Sequence, residues 1–376
     1  MGPSTTGVLL AGGGTAGHVV PALAVAQVLV NRGHHPASLH FVGSRRGQEA
    51  RLVPAAGFTV TLLAGRGIAH RLTLAATADN VAAVAGLAGA AVRAVALVAR
   101  RRPRVVLSVG GYASVPAAAA AVLLRRPLVL HEQNVVPGSA NRLFARFARA
   151  TAVSFEGTAL PRATLTGNPV RAEILAIDGS AGGSAAARLA LGLPEGGVVV
   201  AVVGGSLGSR RINEAVFGLV ERWSDRSGVA IRHAVGTRDW SEVQPVLPRP
   251  PPGGLCYQPV EYEYDMAKML AAADLVVCRS GGSVAELTAT GRPSVLVPLA
   301  GAPGDHQSAN AAALVRAGAA VMVPDAELTP ERLAAELGPL VADGGRRAAM
   351  AAAAAALGRR DAAERVADLV ERHARR

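Results

Sequence analysis

Apolar residues in this chain fall into short unbroken runs, and each run stops at glycine or at a polar cluster. In the first half the runs lie at 7–11, 38–42, 59–63, 105–109, 128–130 and 150–154. A continuous apolar run of this length suits a strand buried on both faces of a parallel sheet. Helix-like stretches begin between them, near His18, Arg45, Asn80, Ser114 and Ser139. The alternation restarts with runs at 198–203, 229–234, 275–278, 294–297 and 319–323. Strands alternating with helices predict an α/β protein with two doubly wound parallel sheets, each Rossmann-like.

Residues 178–197 are rich in Gly, Ser and Ala and read as a connection. The expected division is therefore 1–171 as a first domain, 172–197 as linker and lead-in, and 198–358 as a second domain. Residues 359–376 are expected as a terminal helix that packs back on the first domain. Asp361 is its predicted N-cap, with Glu364 three residues on and Val366, Leu369 and Val370 at helical spacing. No short-period repeat is present, which excludes a solenoid.

Charge changes the picture. Residues 1–171 hold 18 arginines against Glu49, Asp79, Glu132 and Glu156, whereas the remainder holds 21 basic and 23 acidic side chains. The whole excess of +12 thus belongs to the first half and predicts an anionic partner there, a membrane surface or a pyrophosphate. Nucleic acid is not expected, because aromatics are only 3% of residues and no binding module appears. Residues 81–99 are too poor in large apolar side chains for a spanning helix, so a cytosolic protein that rests on a membrane is expected. Two cysteines, Cys256 and Cys278, allow neither a disulfide framework nor a zinc site.

Two glycine-rich turns follow apolar strands: Gly12-Gly13-Gly14-Thr15-Ala16-Gly17-His18 and Gly204-Gly205-Ser206-Leu207-Gly208. Such turns bring backbone N–H groups and a helix start against a phosphate. Lys268 is the sole lysine, so neither turn is a Walker loop. A nicotinamide site would want an acid after the second strand, but Gly43-Ser44-Arg45-Arg46 stands there, which leaves only an NADP alternative. His18 opens a helix, whose positive end disfavours imidazolium and suits the ring to accept a proton from a hydroxyl. The alternative for His18 is a packing role. His131-Glu132-Gln133-Asn134 follows a strand, where an open sheet puts ligand contacts. Arg279-Ser280-Gly281-Gly282-Ser283 can approach a phosphate or base by its backbone, and Glu286 can accept from a ribose diol. Asp305-His306-Gln307 suits sugar hydroxyls. Glu261, Glu263 and Asp265 read as a surface loop, not a metal site, and no Asp-x-Asp motif holds a cation. No cofactor is expected.

Gly13–His18, Gly110-Gly111-Tyr112, His131–Asn134, Gly167-Asn168-Pro169-Val170-Arg171, Gly204–Gly208 and Cys278-Arg279-Ser280-Gly281 come in one order. In that order the chain resembles the MurG family of peripheral-membrane glycosyltransferases over essentially its whole length. The resemblance implies a GT-B fold with two Rossmann-like domains facing each other across a cleft. It implies inverting transfer of N-acetylglucosamine from UDP-N-acetylglucosamine to lipid I, giving lipid II for peptidoglycan, in company with other envelope-synthesis proteins. It puts Ser206 and Arg171 at the UDP phosphates, Glu286 at the ribose, and Gly281, Gly282 and Ser283 at the uracil. Thr15, Ala16, Gly17, Asn134 and Gln307 would surround the donor sugar. Gly13, Gly14, Thr15 and Tyr112 would meet the acceptor diphosphate, and His18 would be the base. The chain departs from the family in a turn one residue shorter before Glu286, in Glu263 where an apolar residue is usual, and in Ala16 where glycine is common. A transferase acting on a soluble metabolite and a non-enzymatic sugar-nucleotide-binding scaffold are the alternatives. The arginine excess favours the lipid-linked acceptor over the first, and the joint presence of His18, Asn134, Glu286 and Gln307 disfavours the second.

Overall fold

The computed structural model describes residues 7–63, 89–205 and 207–375. The chain forms two compact units, Met1–Arg171 with Arg360–Arg376, and Ala172–Arg359.

The first unit is built on seven parallel strands: β1 (Val8–Ala11), β2 (Leu39–Ser44), β3 (Thr59–Leu63), β4 (Val105–Ser108), β5 (Leu128–Glu132), β6 (Ala150–Val153) and β7 (Ala163–Leu165), in the order β3-β2-β1-β4-β5-β6-β7. The order reverses at β1, and β1 and β4 are paired neighbours, so their carboxyl ends frame a crevice between divergent loops. One layer of core packs Val8, Leu10, Val25 and Leu29 against Val105 and Leu107. The other packs Leu9 and Ala11 with Ala117, Ala121 and Leu130. Small alanines on Val115–Leu123 let that helix lie close on the sheet.

The second unit carries six parallel strands: β8 (Val198–Val203), β9 (Val229–Ala234), β10 (Cys256–Val260), β11 (Leu275–Cys278), β12 (Ser294–Leu296) and β13 (Ala320–Met322), ordered β10-β9-β8-β11-β12-β13. Its core joins Val200, Val202, Ile231 and Val277 to Ile212, Val216 and Leu219 of the helix Arg210–Arg222.

Eleven strands lie where the apolar runs predict them, within a residue or two. β7 and β10 lie outside those runs. Both are sheet edges, and they carry Thr164, or Gln258 and Pro259, instead of an apolar run. The Gly/Ser-rich stretch 178–197 is more ordered than its composition suggests. Ser180 caps a helix Ala181–Ala190 through the Gly183 N–H, and Arg188 on that helix is buried against Asp274 at 2.7 Å. The terminal helix Ala362–His373 lies in the first unit, where Val366, Leu369 and Val370 join the core of β1, β4 and β5. Its expected cap differs. The Asp361 side chain makes no capping bond and instead accepts from Arg365 Nε at 2.6 Å. The helix start expected near Asn80 lies outside the described residues. Among those described, no helix is long and apolar enough to cross a membrane.

Candidate active site

In the first unit the site begins where β1 stops. Gly13 and Gly14 adopt φ of 144° and 96°, a region closed to most side chains. A carboxylate fixes that turn from behind. Glu49 is buried, accepts the Gly14 N–H at 2.9 Å and also accepts the Ser44 N–H. A Cβ on Gly13, Gly43 or Gly47 would collide with it. Sequence reasoning missed Glu49. Its signal was rarity, as one of four carboxylates among 18 arginines in residues 1–171. Tyr112 donates to Ser44 Oγ at 3.1 Å, and its ring edge lies beside Gly14. Gly13, Gly14 and Tyr112 are therefore together.

The helix Ala16–Asn31 starts next, with Thr15 in the N-cap position. The Thr15 hydroxyl does not cap the helix; it lies 3.0 Å from His18 Nδ1. Ala16 and Gly17 supply the first helical turn, whose N–H groups have no partner further back along the helix. On the far side, Gly110 and Gly111 (φ 83° and 75°) bring the end of β4 against the imidazole. A Cβ on Gly110 would stand 3.6 Å from His18 Nε2, so it is bare backbone that approaches this edge of the ring. In the tautomer whose Nδ1–H donates to Thr15, Nε2 carries the lone pair.

The stretch His131–Asn134, whose first two residues end β5 itself, divides differently from its sequence reading as a set of ligand contacts after the strand. His131, Glu132 and Gln133 are buried and bonded internally. His131 Nε2 lies 3.2 Å from the Gly167 carbonyl, and Gln133 Nε2 lies 3.0 Å from His131 Nδ1 and donates to the Val109 carbonyl at 2.8 Å. Burial pushes the His131 pKa down to about 4. Glu132 accepts from the N–H groups of Asn134 and Gly138 and from Asn141 Nδ2. Three of the four residues thus build the platform, and Asn134 alone stays half-exposed.

In the second unit, Ser206 lies outside the described residues. Gly205 and Gly208 flank it at φ of 104° and 80°. Ser209 caps the following helix and receives Arg279 Nη2 at 2.6 Å. Arg279 is also held by Asp325 at 2.6 Å, with both side chains largely buried, so it braces the site and is not a free cation. Ser280 Oγ donates to the Gln307 carbonyl at 2.8 Å, and a Cβ on Gly281 would lie 3.7 Å from Gln307 Nε2. Gly281, Gly282, Ser283 and Gln307 are therefore neighbours. Gln307 Oε1 accepts from the Leu299 N–H at 2.9 Å, which orients its amide nitrogen toward Gly281. Glu286 lies in the first turn of Ser283–Ala289 and is half-buried. Arg171 is half-exposed at the last residue of the first unit's main segment.

Glu263 corrects the surface-loop expectation. Its side chain is buried, bonded to Arg232 Nε at 2.6 Å and to the Asp265 N–H at 2.9 Å. Tyr264 is exposed, as expected of a loop. Among the described residues no cluster of His, Cys, Asp and Glu could hold a metal.

With this geometry in place the comparisons are decisive. The glycosyltransferase family 28 N-terminal domain matches residues 8–153, and the family's C-terminal domain matches residues 199–366. The chain belongs to glycosyltransferase family 28. Family-28 relatives extend along its length. One from Desulforudis audaxviator, named as a UDP-N-acetylglucosamine–N-acetylmuramyl-(pentapeptide) pyrophosphoryl-undecaprenol N-acetylglucosamine transferase, is 40% identical over 97% of this chain and 98% of its own. A namesake from Clavibacter michiganensis is 43% identical over 96% of this chain and 95% of its own. The crystal structure of Acinetobacter baumannii MurG superposes with a TM-score of 0.75 at 27% identity, covering 98% of this chain and 99% of that one. The glycosyltransferase of kitacinnamycin, at 20% identity and a TM-score of 0.68, shares the fold. This family-28 chain has the GT-B fold, and the NADP alternative falls.

Proposed function

We infer that the chain transfers N-acetylglucosamine from UDP-N-acetylglucosamine to the 4-hydroxyl of undecaprenyl-diphospho-N-acetylmuramoyl-pentapeptide, with inversion, in peptidoglycan synthesis. Identity of 40–43% to transferases of that name along nearly the whole chain carries the reading. The chain is an N-acetylglucosaminyltransferase.

The roles of individual residues follow from their chemistry. His18 Nε2 takes the proton of the attacking hydroxyl while Thr15 steadies Nδ1. The turn Gly13-Gly14, held by Glu49, presents its backbone to the acceptor's diphosphate beside Tyr112. Glu286 accepts from the donor's ribose. Gly281, Gly282 and Ser283 contact the base, Ser206 and Arg171 meet the phosphates, and Gln307, Asn134, Ala16 and Gly17 surround the sugar. Fixed dipoles of this kind stabilise the charge that develops on the leaving diphosphate.

The acceptor's polyprenyl chain lies in a bilayer, so we propose that the first unit adsorbs to an anionic membrane at the cytoplasmic face. Val92 and Arg93 are exposed on the helical stretch 89–101, near its start. An apolar and a basic side chain side by side suit shallow interfacial binding. Measuring UDP release from UDP-N-acetylglucosamine, with and without a lipid I analogue, tests the transfer. Release that ignores the analogue would overturn the acceptor assignment.

A further inference from the structure

Four neighbouring strands of the first sheet are each led in by an arginine. Arg104, Arg149 and Arg162 immediately precede β4, β6 and β7, and Arg126 stands one residue before Pro127 and β5. Because β4-β5-β6-β7 are consecutive in the sheet and parallel, these four positions line one edge. Strands lie ~4.8 Å apart, so the row runs roughly 14 Å. The segment after the terminal helix closes over it. Arg104 Nε donates to the Arg375 carbonyl at 2.7 Å, the Arg375 N–H returns to the Arg104 carbonyl at 3.0 Å, and Arg375 Nη2 reaches the Arg125 carbonyl.

Among the described residues no acid compensates the charge here: no carboxylate lies within ion-pair distance of Arg102, Arg104, Arg126, Arg149, Arg162 or Arg375. The acids Asp368 and Glu371 of the terminal helix are instead taken by Arg32 and His34. Burial, then the charges of Arg375 and Arg102, push the Arg126 pKa down, as expected where like charges crowd.

Backbone geometry makes the choice of arginine pointed. Arg102, Arg125 and Arg162 have φ of 46°, 50° and 53°, and the only other described non-glycine residue at positive φ is Asp305. Arg102 and Arg125 stand just past helix ends. At the place matching Arg125 after Ala16–Asn31 and Glu49–Ala55 the same unit uses Gly33 and Gly57. A side chain in this region costs about 1 kcal/mol relative to glycine. The Arg162 guanidinium donates to the Arg146 and Ala148 carbonyls, but Arg102 and Arg125 carry this conformational cost with no partner carboxylate among the described residues.

We propose that the arginine row along the β4–β7 edge is a docking surface for an acidic segment of a partner protein. An extended chain alternates its side chains, so every second residue, about 7 Å apart, presents a carboxylate to the row. The glycine turns lie at the opposite ends of β1 and β4, so a bilayer that delivers acceptor to those turns meets the other end of the unit. Phe147 is the exposed aromatic beside Arg149, and the Arg146 guanidinium already covers its ring at 4.6 Å, which leaves little face for base stacking and disfavours nucleic acid.

The test uses the full chain with poly-L-glutamate as probe. Arg372 of the terminal helix and Arg149 both lie near His373, and among the described residues Arg102, Arg149 and Arg372 make no side-chain hydrogen bond, so R102Q/R149Q/R372Q removes charge from this edge and leaves those internal contacts in place. Poly-L-glutamate affinity should fall about tenfold, the scale of three rim charges, and should weaken with salt in the unsubstituted protein. The control R51Q/R316Q/R346Q loses the same charge elsewhere and should keep its affinity. Transfer to a soluble lipid I analogue and binding to phosphatidylglycerol vesicles should be unchanged in both. Equal poly-L-glutamate binding by the two variants would reduce the effect to net charge and overturn the proposal. Loss of vesicle binding, or loss of duplex DNA binding tighter than that of the probe, would assign the row to a lipid surface or to nucleic acid instead.

Discussion

The Glu49 carboxylate accepts the Gly14 N–H at 2.9 Å from a position that water does not reach. A buried acid thereby shapes a turn assigned to a diphosphate. Removing it frees two backbone donors, Gly14 and Ser44, and opens a void bounded by three glycines. An unsatisfied buried donor costs about 1–3 kcal/mol, so Glu49→Ala should destabilise the first unit by about 3 kcal/mol. Thermal melting should register a drop on the order of 10 °C. An unaltered melting temperature would show that the turn holds its shape without the carboxylate.

His18 and Thr15 should separate in kinetics. Loss of a general base costs ~10²–10⁴-fold in rate, so His18→Ala should lower kcat by that factor while UDP affinity stays constant. Thr15→Val removes only the bond at Nδ1 and should cost ~2–10-fold. Near-normal turnover of saturating substrates by His18→Ala would return the ring to a packing role.

Glu286 and Asp325 should fail in opposite ways. Loss of a charge-assisted bond to the ribose is worth about 1.5–3 kcal/mol, so Glu286→Ala should weaken UDP binding ~10–150-fold and leave melting unchanged. Asp325→Ala strands the buried Arg279 and should cost about 3 kcal/mol of stability in the second unit. Calorimetry with UDP, paired with urea titration, distinguishes them. The reverse pattern would exchange the two roles.

Neutral histidines are buried in both units: His233 in the second, and His131 and His40 in the first, where burial, then the charges of Arg101 and Arg100, push His40 down to about 4 as well. Burial pushes His131 down to about 4, and it pushes His233, flanked by Asn213 and Tyr257, down to about 3. Folded values below the unfolded value of 6.5 mean that the unfolded chain binds more protons as pH falls. Stability should therefore be full above pH 6.5 and decline below it, down to the folded values. At pH 5 each histidine accounts for about 2 kcal/mol. Urea midpoints at pH 7.5 and 5.0 should show the loss in both units, and His233→Gln should shrink it in the second. A pH-independent midpoint would contradict the buried neutral state.

Much of this molecule was legible in its apolar runs, because a strand buried on both faces has no polar side to disguise it. The edge strands β7 and β10 escaped, since half-solvated strands carry Thr, Gln and Pro. At the site, the glycine turns and His18 could be read as such, but the partners that shape them could not. Glu49 is 35 residues from Gly14, and Asp325 is 46 from Arg279. Pairings over such distances leave no local pattern. Glu263 misled for a related reason: its loop reads as exposed, while Arg232, on a neighbouring strand, draws its carboxylate inside.

The terminal helix has a consequence for how the protein is made. Val366, Leu369 and Val370 complete a core whose other walls are Val8, Leu10, Val105 and Val129. On the ribosome the entire second unit must be synthesised between those walls and their closing wedge. At 5–20 residues per second the delay is on the order of ten to forty seconds. The half that is born first is thus sealed last, and until then its hydrophobic seam is a natural client for a chaperone.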